Sequence, residues 1–391
     1  MKYRATVNHH RSACEMLQFL QASSPSWHEL YQQQSQEKQR YFTSFEFITS
    51  WLLRWPVDVG VSSSFLYKNE NCVGVTFFTQ TKNTRLGVLK TKTLHLCRSG
   101  VEEIDKIWPE YIEPVLAVSS QERNEVWAYW LEEIMSQTGA HQMYQHVAPL
   151  DSLMSAAKHV SRSRCIIENR EEGPVRFLSE HKKAASSLRR KMSQTSRRLD
   201  LTSASMKLAK NEEDVLRVFQ KIKEWHLDKW SGTDTPSGFE NTLFASTLKK
   251  ELLSSLYRDG SQARARCYYI EHDGSIIGGT VLLEENSWAG FYLAGYQPFN
   301  DNHIHLGLWM HVQLIEILSS RGMLQYDFMA GGDSYKSIFS NRNVSHARAR
   351  WVKRSTIYSY LLLSKEIAQK FFMNRNSSDN ITKVKSKKEI V

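Results

Sequence analysis

Cysteine and long apolar runs are what this 391-residue chain has least of. Its five cysteines, Cys14, Cys72, Cys97, Cys165 and Cys267, lie far apart, with no CxxC pair and no Cys/His spacing of a ligand set. That excludes a zinc motif and a disulfide-stapled scaffold, so no metal is expected. A reducing, cytoplasmic location is expected instead. No apolar run approaches the roughly 20 residues that a membrane-spanning helix needs. The first twenty residues are broken by Lys2, Arg4, His9, His10, Arg11 and Glu15, unlike the apolar core of a secretory signal. Acidic residues are in deficit too: 41 Asp and Glu against 51 Lys and Arg leave a net charge of +10.

What the chain does have is apolar and aromatic material, 41% and 11% of its residues, enough for two cores of ordinary size. The positive balance favours an anionic partner: coenzyme A, a nucleotide-sugar, RNA or an acidic membrane surface. Much of the charge is local. His181–Arg198 carries Lys182, Lys183, Arg189, Arg190, Lys191, Arg197 and Arg198 and no acid. Such a helix either binds RNA or is a solvated or membrane-facing basic face. No aromatic residue interleaves with these charges, which speaks against stacking on single-stranded RNA. From Asn374 the chain is polar and ends with Lys383, Lys385, Lys387 and Lys388, a composition that predicts disorder over 374–391.

Hydrophobic periodicity orders the rest. The second half reads as a basic helix at Ser179–Leu199, a strand at Leu201–Leu208 and helices at Glu212–Asp228 and Phe239–Tyr257. Strands at Arg264–Glu271, Ile276–Glu284 and Trp288–Tyr296 follow, the first two joined by a tight turn at Asp273-Gly274. Next come a helix ended by Gly322, a short strand at Leu324–Phe328, a short helix opened by Tyr335-Lys336, a strand at Ala347–Val352 and a helix at Ile357–Phe372. Val215, Leu216, Phe219, Ile222 and Trp225 form one helical stripe, which marks Trp225 as a core residue. The first half reads as a helix at Phe45–Trp55, a hairpin of Val61–Tyr67 and Cys72–Thr79, a strand at Leu94–Leu96, helices at Asp105–Ile112 and Arg123–Met135, and a strand at Gln142–Val147. No internal repeat is visible.

The stretch from Trp288 to Phe339 is the most informative. An uncharged strand leads through a polar loop holding Gly307 into a helix; a short strand carrying Asp327 and the break Gly331-Gly332-Asp333 follow. A strand, a phosphate-sized loop at a helix start and a second strand with a polar residue suit a nucleotide-containing ligand. Several features in order and spacing carry a resemblance. They are Gly295-Tyr296 and Pro298, Gly307, Gly322…Tyr326-Asp327-Phe328, and Gly332-Asp333-Ser334-Tyr335-Lys336…Phe339. Upstream, Trp225-His226…Lys229-Trp230, Gly238-Phe239 and the Asp273-Gly274 turn fit as well. Over roughly residues 176–352 the chain resembles the GNAT-related acetyltransferases of the cellulose-biosynthesis (CelD/BcsL) type, relatives of the Fem aminoacyltransferases of the peptidoglycan bridge.

The resemblance implies an α+β fold of two GNAT-like halves in tandem, each a mixed, mostly antiparallel sheet flanked by helices. A degenerate half would occupy 1–175, an acyltransferase domain 176–373 and a basic tail 374–391. The element order read from periodicity, β-α-α-β-β-β-α-β-α-β, agrees with a GNAT domain. The implied activity moves an acetyl or other acyl group from acetyl-CoA or another acyl-CoA to an amine or hydroxyl of a small or sugar-like acceptor, in exopolysaccharide or cell-envelope biosynthesis. Two alternatives stand beside it: Fem-like transfer from aminoacyl-tRNA, and a non-catalytic partner in a polysaccharide-synthesis complex.

By the same resemblance pantetheine would lie along Trp288–Tyr296, against Tyr292, Leu293 and Ala294. The pyrophosphate would sit on Asn302, His303, His305, Leu306 and Gly307 at the helix start. The single glycine departs from the usual Gly-x-Gly or Gly-x-Ala loop. Asp327 either acts on the acceptor amine or ties down the Gly331-Gly332 loop through backbone amides. Asp333 reads as the N-cap of the last short helix. Tyr335 is the proton donor to the leaving thiolate or a surface tyrosine; Lys336 meets an anionic group or is solvated. His303 and His305 contact phosphate, serve as base or lie exposed in their loop. His226 and Trp230 are candidates to line an acceptor pocket.

Overall fold

The computed structural model describes residues 3–35, 38–85, 89–105, 110–180, 186–201, 204–233, 236–258, 263–331 and 335–354. The expectations placed on residues 181–185, on Gly332, Asp333 and Ser334, on Ile357–Phe372 and on the basic tail lie outside these residues.

The first half runs β1 (Tyr3–His10), α1 (Ala13–Ala22), α2 (Trp27–Gln33), α3 (Phe45–Leu52), β2 (Val61–Lys68), β3 (Asn71–Arg85), β4 (Leu89–Leu96), α4 (Glu102–Asp105), β5 (Val115–Leu116), α5 (Arg123–Thr138), β6 (Gln142–Pro149), α6 (Leu150–His159) and β7 (Ser163–Phe177). The second half runs α7 (Ser186–Arg198), β8 (Ser205–Leu208), α8 (Glu212–Trp230), α9 (Thr242–Leu256), β9 (Arg264–His272), β10 (Ser275–Glu285), β11 (Trp288–Tyr296), α10 (Leu306–Ser320), β12 (Gln325–Asp327), α11 (Lys336–Phe339) and β13 (Arg342–Lys353). Local chemistry starts and stops these elements. Ser26 and Glu29 form a reciprocal capping box on α2, Asn211 caps α8, and Gly139 ends α5 in the left-handed conformation.

Twelve strands form one sheet in the order β1-β2-β3-β4-β6-β13-β7-β12-β11-β10-β9-β8, and β5 adds to β3. Read from either end the order is the same: four antiparallel strands, a parallel neighbour, then the last strand of the other half. β7 thus pairs with β12, and β13 pairs with β6, so each half donates its final strand across the middle. The only parallel pairings among the described residues are β4 with β6 and β11 with β12, each three residues long. Each pair then parts, leaving a gap in each half. One core runs beneath both: Tyr292 of β11 packs against Phe42 of the first half and Phe244 of α9, and Tyr41 donates to Glu251 of α9. No helix among the described residues is long and apolar enough to cross a membrane.

Three expectations change. Of the helix expected at Asp105–Ile112, residues 106–109 lie outside the described residues; the Asp105 carboxylate accepts the amides of Ser99 and Gly100, and Tyr111 sits at φ 57° with its ring stacked 4.5 Å from that of His346. That contact keeps Tyr111 out of the helical region. On α8 the buried stripe is Val215, Val218, Phe219 and Ile222, while Leu216 is 39% exposed and Trp225 is half-buried. The helix presses on the sheet where glycines let it approach: a Cβ on Gly295 would sit 2.7 Å from the Ile222 carbonyl oxygen. The fifteen-residue β7 was not expected as a strand. Its run of Glu168, Arg170, Glu171 and Glu172 masks any alternation.

Candidate functional site

The second-half gap begins beyond Gly290 of β11 and Asp327 of β12, the last paired residues. The next residues, Phe291 and Phe328, both contact the ring of His311 from α10, at 4.7 and 5.2 Å. Tyr335 stacks on the same ring at 5.5 Å, and His311 Nδ1 shares a 2.9 Å hydrogen bond with the Tyr326 hydroxyl. Burial, with Lys336 nearby, pushes His311 down to about 3, so the imidazole is neutral. Tyr335 is therefore half-buried, oriented by a histidine, and placed where the strands part. Nothing in the sequence pattern set His311 apart from the apolar residues of its helix.

At the outer end of β11, α10 begins. No side chain caps this fifteen-residue helix, and the backbone N–H of His305 is held by Thr195 Oγ1 of α7 at 2.9 Å. A Cβ on Gly307 would lie 3.2 Å from the Tyr296 ring, so the glycine lets the end of β11 close over the first turn. Lys229 reaches the Tyr296 hydroxyl at 3.3 Å, and Arg198 of α7 pairs with Asp301 at 3.3 Å. The basic helix thus packs beside the loop that carries Asn302 and His303, both exposed, and His305. Burial and the neighbouring Lys191 and His303 lower His305. The result is a helix N-terminus with Lys229 and the Arg198–Asp301 pair beside it, Asp301 Oδ1 also accepting the His303 amide at 2.8 Å, and such a helix start suits an anionic group. Leu293 is buried and Ala294 half-buried on β11, whereas Tyr292 points into the shared aromatic core, which raises its hydroxyl well above the ordinary range.

Asp327 is 6% exposed and fully engaged. Its Oδ1 accepts the Met329 amide (2.8 Å) and the Tyr111 hydroxyl (3.3 Å), and its Oδ2 accepts the Trp288 indole N–H (3.2 Å). Lys336 is 5% exposed; its ammonium donates to the carbonyls of Gly331 (3.1 Å) and Ala330 (3.4 Å). The expectation of a solvated lysine does not hold. Glu110, which the sequence reading passed over, accepts the Ala330 amide at 3.0 Å. Two carboxylates and one ammonium therefore clamp residues 329–331, where Met329 (φ 62°) and Gly331 (φ 117°) turn the chain. Burial, with help from Asp327 and Glu171, pushes Glu110 up to about 7.

Two cavities flank Glu110 and Tyr111. Glu110 borders one of about 560 Å³ with Arg98, His146, Glu171 and Arg348. Tyr111 borders another of about 410 Å³ with Lys38, Arg40, Arg123, Asp327, Arg342 and His346. His226 and Trp230 lie elsewhere, at the end of α8. His226 Nδ1 shares a 2.8 Å hydrogen bond with Ser237, and burial with Lys229 lowers it to about 4. Among the described residues no cluster of three or more His, Cys, Asp or Glu side chains is arranged to hold a metal, and all five cysteines are free.

Residues 182–337 match the acetyltransferase (GNAT) domain family. No curated protein matches the chain in sequence. The crystal structure of FemX is similar at 9% identity and a TM-score of 0.51, covering 89% of this chain and 97% of that one. A tandem GNAT protein from the clavulanic acid biosynthesis pathway is similar at 10% identity and a TM-score of 0.46, covering 91% and 99%. The C-terminal domain of a protein described as a lysylphosphatidylglycerol synthetase from Agrobacterium fabrum is similar at 10% identity and 0.49, covering 91% and 97%. The domain match assigns the GNAT acetyltransferase fold to residues 182–337.

Proposed function

We propose that the protein is an acyltransferase that takes an acyl group from acetyl-CoA or another acyl-CoA and passes it to an amine or hydroxyl of a small, sugar-like acceptor, in exopolysaccharide or cell-envelope synthesis. The observation that carries this reading is the pairing of β11 and β12 for three residues only, with Tyr335 at the parting and an uncapped helix start over Gly307 at the outer end. The thioester would lie along β11, its pyrophosphate on the first turn of α10 beside Lys229 and α7. The acceptor nitrogen or oxygen forms the new bond to the acyl carbon as the carbon–sulfur bond breaks. Tyr335 hands its hydroxyl proton to the departing sulfur, and the proton shed by the acceptor passes through solvent to restore the Tyr335 hydroxyl. In this reading Asp327 and Lys336 act by holding the 329–331 loop that leads to Tyr335.

Calorimetric titration with acetyl-CoA tests the donor site. Wild type should bind, and Gly307→Glu should not, since its side chain must displace the Tyr296 ring and places a carboxylate where phosphate would sit. Binding at full strength by Gly307→Glu would remove the placement. Aminoacyl-tRNA as donor is the second reading, favoured by the exposed Arg189, Arg190 and Arg197 of α7. Saturable tRNA binding without acetyl-CoA binding would make it the better one.

A further inference from the structure

The cavity of about 410 Å³ is lined from both halves: Val175, Val344 and Asp327 come from the central strands β7, β13 and β12, and Arg40 and Glu113 from segments of the first half. It lies on the face of the sheet away from α10. Asp327 pairs in register with Gly290 and accepts the Trp288 indole N–H, whereas the next residues, Phe291 and Phe328, turn to His311 of α10. The acyl-donor reading gives this cavity no role. Its lining carries four cations, Lys38, Arg40, Arg123 and Arg342, against two carboxylates, Glu113 and Asp327. Most of these groups are engaged. Arg123 pairs with Glu113 at 3.8 Å and donates to the Leu116 carbonyl at 2.7 Å; Arg342 donates to Glu180; Asp327 accepts three neutral donors.

Lys38 and Arg40 keep donors to spare. Lys38 reaches Glu113 only at 3.9 Å, and that carboxylate already faces Arg123. Arg40 donates to the Gln39 carbonyl at 3.3 Å, which uses one N–H of a multi-donor guanidinium. Both side chains are half-buried, and no unpaired nitrogen of either is shut away from solvent. Even with Glu180 set against Arg342, the cations of the lining outnumber the carboxylates. Accessible donors of this kind in a partly enclosed, positive site are best answered by an oxyanion. We propose that this cavity binds a sugar-sized molecule through a phosphate or carboxylate held by Arg40 and Lys38. The volume lies in the range of small-molecule sites. One part of this rests on the acyl-transfer reading: there the bound molecule is the acceptor, since Asp327 in the cavity wall directly precedes Phe328, where β12 parts from β11.

The full-length protein should be titrated by calorimetry with glucose 6-phosphate, gluconate and glucose. At least one of the two anions should bind about tenfold or more tighter than glucose, and which one does so tells phosphate from carboxylate. Arg40→Gln and Lys38→Gln should each weaken that anion about tenfold, the worth of one charge-assisted hydrogen bond, while melting as wild type does. Gly307→Glu, which closes the start of α10 to anions, should bind it as wild type does. No binding of either anion, no preference over glucose, wild-type affinity in both cavity variants, or loss of the anion in Gly307→Glu would overturn the proposal. Acetyl-CoA binding, measured on the same wild-type sample, is a separate readout: its absence would sink the donor reading and leave the oxyanion site standing.

Discussion

Replacing Asp327 by Asn asks whether the carboxylate works by holding the loop. It accepts three buried hydrogen bonds, from Met329 N, Tyr111 Oη and Trp288 Nε1. Asparagine keeps one oxygen, which can stay with Met329 and Tyr111, and turns its amide NH₂ toward the Trp288 indole N–H. Two donors then face each other in a site that excludes water. An unsatisfied buried donor costs roughly 1–3 kcal/mol, and loss of ionic character in the two remaining bonds adds to it, for a total of roughly 2–3 kcal/mol. At roughly 2.1 cal/mol/K per residue, the 391 residues give an unfolding entropy of roughly 0.8 kcal/mol/K, so the melting temperature should fall by about 3 °C. Scanning calorimetry of wild type, Asp327→Asn, Trp288→Phe and the double variant reads this directly. The double variant should be less destabilised than the sum of the two singles, because removing the indole N–H relieves the donor conflict. A melting temperature unchanged to within about half a degree, together with lost activity, would refute the clamp and make Asp327 a group that touches substrate.

Three further outcomes follow from the same geometry. Tyr335→Phe should lower turnover by roughly two to four orders of magnitude while the fold, read by melting, is retained; unchanged turnover removes Tyr335 as proton donor. Reversing Arg189, Arg190 and Lys191 to Glu should raise KM for an anionic reactant at low salt, leave kcat nearly unchanged, and converge on wild type as salt rises. A collapse of kcat would instead place α7 in the chemistry. Glu110 is raised to about 7 in the fold from 4.5, chiefly by burial, so the folded chain binds an extra proton between those values. Its stabilising effect is full below about pH 4.5 and is lost as pH rises to about 7, up to roughly 3 kcal/mol. Glu110→Gln should flatten that part of the pH–stability curve, and an identical slope in both proteins would contradict the raised carboxyl.

Much of the second half was legible because its signals are local. β11 has the bounds that the uncharged run Trp288–Tyr296 predicts, the hairpin turns where Asp273-Gly274 stands, and Gly307 falls in the first turn of α10. Asp327 lies in its short strand, where its Oδ1 accepts the Met329 amide rather than one from Gly331, whose N–H goes to the Glu172 carbonyl. The first half was harder. α1, α2, α6, β1 and β7 escaped the reading, since short elements with polar faces leave little periodicity. Lys336 looked solvated because a lone lysine usually is. The two carbonyls that bury it come from a loop whose shape depends on Glu110, more than two hundred positions away.

Local sequence sets which segments become strands and helices over most of the second half, where a polar loop meets a helix start, and the positive charge that the chain carries. These follow from side-chain period, capping and composition, which act over a few neighbouring residues. Tertiary structure decided the exchange of β7 and β13 across the middle of the sheet, the parting of β4 from β6 and of β11 from β12, and the meeting of Asp327 with Tyr111 and of Glu110 with Ala330. Strand partners and buried carboxylate contacts join residues far apart in the chain. The free energy of each depends on which groups the whole fold shields from water together, and no local pattern records that.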